Sequence, residues 1–236
     1  MKEEPTSGPY TAADLPKMSD CDEIDGFIAP PPPVMSPGTT TGSKFEFVAE
    51  HQDVPDNFLS SRVAKFISEN ALPCLLRFCK WKRLFSLLRD GSNFLTAINN
   101  VSKDNSTIVV VETTRGDIFG CFANSKWEPP HGSVKFFGNG ESFVFRVDPS
   151  LEETPVQVYK WTGKNTLFQL VDKETSRMAM GGGGQDGAFA FCLEDDFQRG
   201  TTGATATFDN PKLTSENEAG EFEVLNVEIY GFVNEF

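Results

Sequence analysis

The residues best placed to do chemistry in this chain lie in three glycine-rich stretches. The first is Phe137-Gly138-Asn139-Gly140-Glu141, where two glycines permit a tight turn beside a carboxylate. The second, Tyr159-Lys160-Trp161-Thr162-Gly163-Lys164-Asn165, sets a cation and an indole next to a turn glycine. The third is the run Gly181, Gly182, Gly183 and Gly184. Glu141 reads as accepting hydrogen bonds from turn amides, with a partner's donor as the alternative. Consecutive glycines lose much conformational freedom on folding. The run therefore marks either a place where a partner or ligand approaches the backbone, or a tight connection packed under a bulky side chain such as Trp161. Cys79 is the redox candidate: Arg77, Lys80 and Lys82 are neighbours that favour a thiolate, provided the sulfur is exposed.

Other chemistries find little support. Gly182-Gly183-Gly184-Gln185-Asp186-Gly187 matches the spacing of a dinucleotide-binding loop, but a strand-like segment follows it where a helix is required. Gly138-Asn139-Gly140-Glu141 lacks the Lys-Ser/Thr of a nucleotide-binding loop. The two histidines, His51 and His131, stand outside any ligand-spaced cluster, so neither a metal nor a catalytic triad is expected. No catalytic residue and no cofactor is assigned.

The elements that must position these stretches are mostly strands. Beyond the first turn, Phe143, Phe145 and Val147 alternate with Val144 and Arg146, the period of a strand with one buried face. Trp81–Leu88, the β-branched run Ile108–Val111 and Ile118–Ala123 read as strands, the last two joined at Thr114-Arg115-Gly116-Asp117. Strands are also expected from Val156, at Leu167–Val171, Arg177–Met180, Ala188–Leu193 and Thr205–Phe208, and at Phe222–Phe232 with a phase slip between Val224 and Leu225. Leu59, Val63, Phe66 and Ile67 share one face of a helix from Pro55 to Asn70, with Asp53 or Asp56 near its cap and Pro73 beyond its end. Asp90 and Gly91 form a turn, after which Ser92 caps a short helix with Phe94, Leu95 and Ile98 inward. Nine or ten short strands with few helices give an α+β, mainly β class: a two-sheet antiparallel β-sandwich flanked by short helices.

The 22 Phe suffice for a sizeable core, and the net charge of −13 disfavours nucleic acid and anionic membranes. An acidic surface of this kind would seek a basic patch on a partner. The chain shows neither a signal peptide nor a stretch for membrane insertion. The five cysteines, odd in number and without Cys-x-x-Cys spacing, read as reduced thiols, which predicts an intracellular protein. Residues 1–43 are expected to form a disordered, acidic, proline-rich tail, with Pro30–Pro33 as a stiff linker. Asp20 to Gly26 has only the composition of a calcium loop.

Taken together these stretches resemble one family, the TLDc domain of oxidation-resistance proteins. The resemblance rests on Leu72-Pro73, Trp81–Ser86, Asp90-Gly91, Phe94-Leu95-Thr96, Gly116 and Phe119-Gly120. It continues in Phe137-Gly138-x-Gly140-Glu141-x-Phe143-x-Phe145, Tyr159-Lys160-Trp161-Thr162-Gly163-x-Asn165 and Gly181–Gly184. Thr207-Phe208-x-Asn210-x-x-Leu213 and Glu228-Ile229-Tyr230-x-Phe232 complete it. It covers about residues 71–233 and divides the chain into the tail 1–43, a helical segment 44–70 packing on the domain, and the domain 71–236. It implies a sandwich, an intracellular role in resistance to oxidative stress, and a non-catalytic module that binds and regulates the vacuolar-type proton ATPase. The peripheral sector is the expected partner, and recruitment to acidic organelles would pass through it. A peroxide-detoxifying enzyme, or a scaffold for other stress-response partners, is the alternative. Two positions depart from the family pattern: Thr205 stands where a cysteine is common, and Tyr230 where a tryptophan is common.

Overall fold

The computed structural model describes residues 45–50, 56–129, 135–148, 150–151, 153–215 and 219–234. The tail 1–43 with its proline run and calcium-like segment, His51, Asp53, Pro55 and His131 lie outside the described residues. Among the described residues ten strands form: β1 Lys80–Ser86, β2 Thr107–Thr113, β3 Ile118–Ala123, β4 Phe143–Val147, β5 Val156–Lys160, β6 Gln169–Asp172, β7 Arg177–Met180, β8 Phe191–Glu194, β9 Arg199–Thr202 and β10 Glu221–Val233. The helices are α1 Ser61–Asn70, the single turn α2 Leu87–Asp90, and α3 Phe94–Val101. No described helix is long and apolar enough to cross a membrane.

Every named strand pair is antiparallel. One sheet runs β1-β10-β2-β3-β4-β5, and the other runs β10-β9-β8-β7-β6. The long strand β10 serves both. Its first residues, Glu221–Glu223, pair with β9, and the rest pairs with β2 and β1. Its register slips between Val224 and Asn226, leaving Leu225 exposed at the corner, and beyond that bulge it is buried on both faces. The phase slip legible in the sequence is this corner.

Between the sheets lies the larger core, where Phe119 stands 5.7 Å from Phe191 and 5.2 Å from Phe222, centroid to centroid. Phe94 of α3 closes one end against Phe197. The outer face of the first sheet carries Ile108, Val110, Phe122, Phe143 and Phe145, and packs with Val63, Ala64 and Ile67 of α1. These two cores follow from the period-two alternation of β2 and β4, each of which sends apolar residues both ways. β4 is thus buried on both faces, Val144 entering the inter-sheet core, where its alternation had predicted one buried face.

Local boundaries depart from the pattern where hydrogen bonds override hydrophobicity. α1 begins after Ser60, whose hydroxyl accepts from the Val63 amide at 3.4 Å, so Asp56 is not its cap. Asn93, not Ser92, caps α3 by accepting from the Thr96 amide at 2.9 Å, and Leu95 points outward, 48% exposed. β1 stops at Ser86, and β8 starts at Phe191. Thr205–Phe208 is a turn rather than a strand, and the unforeseen strand is β9.

Candidate functional site

The three glycine-rich stretches meet at one end of the sandwich. Phe137 exchanges two backbone hydrogen bonds with Gln169, both 2.9 Å, which fixes the first turn beside β6. Trp161, just past β5, lies across Gly140. A Cβ built at Gly140 would stand 2.2 Å from Trp161 Cε3, so the position admits no side chain while the indole stays. The indole Nε1 donates to the Asn165 carbonyl at 2.7 Å, and the ring meets Phe168 edge-on at 5.6 Å. Asn165 Oδ1 accepts from the Leu167 amide at 3.0 Å and from the Thr207 hydroxyl at 2.8 Å. Thr207 Oγ1, fully buried, in turn accepts from the Gly182 amide at 3.0 Å. Thr162 completes the junction, its amide donating to the Thr207 carbonyl (2.9 Å) and its hydroxyl to the Ala206 carbonyl (2.7 Å).

The glycine run is a close-packed connection. Gly181, at φ +74°, faces the Phe208 ring, and Gly183, at φ +69°, faces Asn165. A Cβ at Gly182 would meet Leu167, and one at Gly184 would lie 2.3 Å from the Ala204 carbonyl oxygen. The neighbours are therefore Asn165, Leu167, Ala204 and Phe208. Trp161 covers Gly140 instead. Gly138, at φ +102°, is confined by Phe168 and Gln169. The 3-10 turn Gln185–Gly187 ends the run, and the chain then leads into β8 without the helix that a dinucleotide loop needs.

Glu141 also has an internal role, though not with turn amides. Its carboxylate accepts from the Asn124 side chain, and its backbone amide donates to Asn139 Oδ1 at 3.0 Å. Asn139 Nδ2 donates to the Asn124 carbonyl at 2.6 Å, tying the turn to the end of β3. Neither asparagine was singled out in the sequence; the place of Asn139 between Gly138 and Gly140 was the available signal, and Asn124, just past β3, offered none.

Asp90 and Gly91 make none of these contacts. Asp90 accepts from the Ser86 amide (2.9 Å) and from Arg89 Nε (2.9 Å) and Nη2 (2.7 Å). Burial alone would raise its pKa, but the bonds from Arg89 and Ser86 outweigh burial and hold it below the usual carboxylate value. The turn borders a buried charge network missed in the sequence. Arg83 and Glu228, 3% and 0% exposed, pair at 2.6 Å, and Tyr230 donates its hydroxyl to Glu228 at 2.5 Å. The departure to Tyr at 230 thus supplies a donor to a buried carboxylate.

Cys79 does not meet the condition set for a redox thiol. It is 6% exposed, its sulfur donates to Asn234 Oδ1 at 2.8 Å, and burial pushes its pKa up. Cys121 and Cys192 are buried in strands; burial, then Glu194, pushes Cys192 up to about 12. Cys74 is exposed.

Of the three tryptophans, Trp81 and Trp127 are fully buried, whereas Trp161 is 41% exposed. Lys160, Gly163 and Lys164 are exposed beside it in the chain, and Lys164 Nζ reaches Asp209 at 3.5 Å. Among the described residues no three His, Cys, Asp or Glu side chains are grouped to hold a metal. The arrangement is a partly exposed indole braced by Gly140, Asn165 and Phe168, with exposed lysines at 160 and 164 beside it in the chain.

The sandwich and its glycine-braced end define a class of domain, and comparison with known proteins identifies the family. The TLDc domain family model matches residues 53–233, and the chain belongs to that family. It is 31% identical over 153 residues to bovine Oxidation resistance protein 1, covering 64% of this chain and 16% of the relative. It is 28% identical over 162 residues to chicken Nuclear receptor coactivator 7, covering 68% and 16%. With Xenopus laevis Oxidation resistance protein 1 it shares 29% over 179 residues, 75% and 19% of the two chains. The match thus spans less than a fifth of the length of these relatives.

Proposed function

We propose that this chain is a non-catalytic TLDc module, with its domain at 71–236, that acts in resistance to oxidative stress. It does so by binding the peripheral sector of the vacuolar-type proton ATPase and regulating it. It works in the cytoplasm and reaches acidic-organelle membranes through that partner. The observation that carries this reading is the half-exposed Trp161, held by Gly140, Asn165 and Phe168 at the point where the three family stretches meet. A pre-ordered aromatic anchor loses little entropy on binding and is the kind of residue that dominates interface energy. The stress role is supported by the relatives named Oxidation resistance protein 1. The pump follows from the family resemblance.

Affinity capture from a lysate on the full chain, followed by an ATPase assay of the captured complex, tests the proposal. Peripheral-sector subunits with altered ATPase activity are expected on the wild type. They should be lost on a Lys160→Glu/Lys164→Glu variant, which changes exposed charges beside the anchor. Recovery of no pump subunit, or equal recovery on both chains, would overturn it.

A further inference from the structure

Residues 45–50 run beside the outer edge of β1 and pair with it through a single bridge. Phe47 and Trp81 form a parallel bridge; the Val48 amide donates to the Trp81 carbonyl at 2.8 Å, and the Trp81 amide to the Glu46 carbonyl at 3.2 Å. Phe45 and Phe47, two residues apart and hence on one face, set their rings edge-on to Trp81 at 5.3 and 6.1 Å. The acids meet cations: Glu46 reaches Lys80 at 3.3 Å, and Glu50 joins both Arg83 and Arg89.

Two observations set this strap apart from the core strands. Without Glu50, each arginine keeps a carboxylate of the body, Arg83 through Glu228 and Arg89 through Asp90. Departure of the strap therefore strands no buried cation. Second, the fully buried Trp81 indole Nε1 finds no hydrogen-bond partner among the described residues, so residues 45–50 themselves leave the seat incompletely satisfied.

We infer that the β1 edge is a strand-accepting docking site, with residues 45–50 as its displaceable resident occupant. The incoming ligand is an extended segment of a partner protein. It carries two aromatics two residues apart, an acid reaching Arg83 and Arg89, and an acceptor for the Trp81 indole. Backbone bonds to the edge would supply affinity, and the aromatic seats and arginines specificity. The site is distinct from the Trp161 end and does not depend on the pump reading.

The test uses the full chain, wild type and Phe45→Ala/Phe47→Ala, titrated with a synthetic peptide of residues 45–50. The readout is the Trp81 indole resonance by NMR. The peptide should shift this resonance in the variant and not in the wild type, whose tethered strap competes at high effective concentration. A peptide with Glu50→Ala should bind the variant at least about fivefold more weakly, for loss of a charge-assisted contact. A folded variant that ignores the peptide would overturn the inference. So would a wild-type dimer with exchanged straps, which would give the edge to a second copy. Should the variant not fold, hydrogen exchange on the wild type decides. The Val48 and Trp81 amides must then exchange faster than those of Val110 and Ile229, and equal protection overturns the inference.

Discussion

Replacing Gly140 by alanine should break the brace of Trp161. Gly140 does not sit at a positive φ, so the substitution acts through space alone: the new methyl would lie 2.2, 2.6 and 2.9 Å from three atoms of the rigid indole. The ring must leave. Overpacking of this kind costs about 1–3 kcal/mol. Losing the 2.7 Å bond to the Asn165 carbonyl adds about 1 kcal/mol, and losing the edge contact with Phe168 about 0.5–1 kcal/mol. Together these amount to about 2.5–5 kcal/mol, or about 5–20 °C in melting temperature for a domain of this size. Denaturant unfolding read by far-UV circular dichroism gives the energy, and tryptophan emission should shift to the red. The decisive comparison is a double-mutant cycle. In a Trp161→Ala background, Gly140→Ala should cost less than about 0.5 kcal/mol, because nothing remains to clash. Gly163→Ala is the control. It has open space but φ +79°, so its cost of about 1–2 kcal/mol should persist in both backgrounds. An equal cost of Gly140→Ala with and without Trp161 would refute the steric account.

Three further outcomes follow from the charges and thiols. Burial, and then the neighbouring Glu228, raise the pKa of Glu112, so its ionisation opposes folding above the unfolded-state value. Glu112→Gln should therefore raise the melting temperature at neutral pH, and the gain should vanish as pH falls through the raised folded value. Asp90 has the opposite sign: its carboxylate favours folding above the unfolded pKa near 4. Asp90→Asn should then destabilise at pH 7 by about 1–2 kcal/mol, with the gap closing as the solution is acidified through the lowered folded value. Among the described cysteines, Cys74 should react within minutes with a thiol reagent at pH 8, while Cys79, Cys121 and Cys192 react only on unfolding, as peptide mapping would show.

Much of the sandwich was legible because period-two hydrophobicity is a direct signal of which residues face a core. Ile108–Val111 and Ile118–Ala123 appeared nearly at their true bounds, and even the corner of β10 showed as a phase slip. β9 was invisible for a physical reason. Arg199-Gly200-Thr201-Thr202 has no apolar residue, and its extended form is imposed by β8 and β10 on either side. Gly200 is confined there, since a Cβ would lie 2.3 Å from the Cys192 carbonyl oxygen. Thr205–Phe208 misled in the opposite sense: its alternation is local, and the Thr205 hydroxyl spends itself on Asn210 at 2.6 Å within the turn. The motif residues were legible at the site, but their partnerships were not. Nothing in sequence spacing says that Trp161 lies on Gly140 or that Thr207 bonds Gly182. Likewise, charges beside Cys79 in sequence carried no information on its burial by Asn234, far along the chain. The Arg83–Glu228 pair was hidden because a charged residue in a strand pattern reads as solvent-facing until its partner is located.

The central claim is that the Trp161 end binds the pump. Its most direct test is a titration of the purified peripheral sector of the ATPase into the full chain, wild type against Lys160→Glu/Lys164→Glu, followed by Trp161 fluorescence. The account predicts saturable binding by the wild type with a blue-shifted emission as the exposed indole is covered. It predicts at least tenfold weaker binding by the variant, about 1.4 kcal/mol, at an unchanged melting temperature. Absence of binding by the wild type, or equal affinity of the two chains with Trp161 emission unmoved, would contradict it.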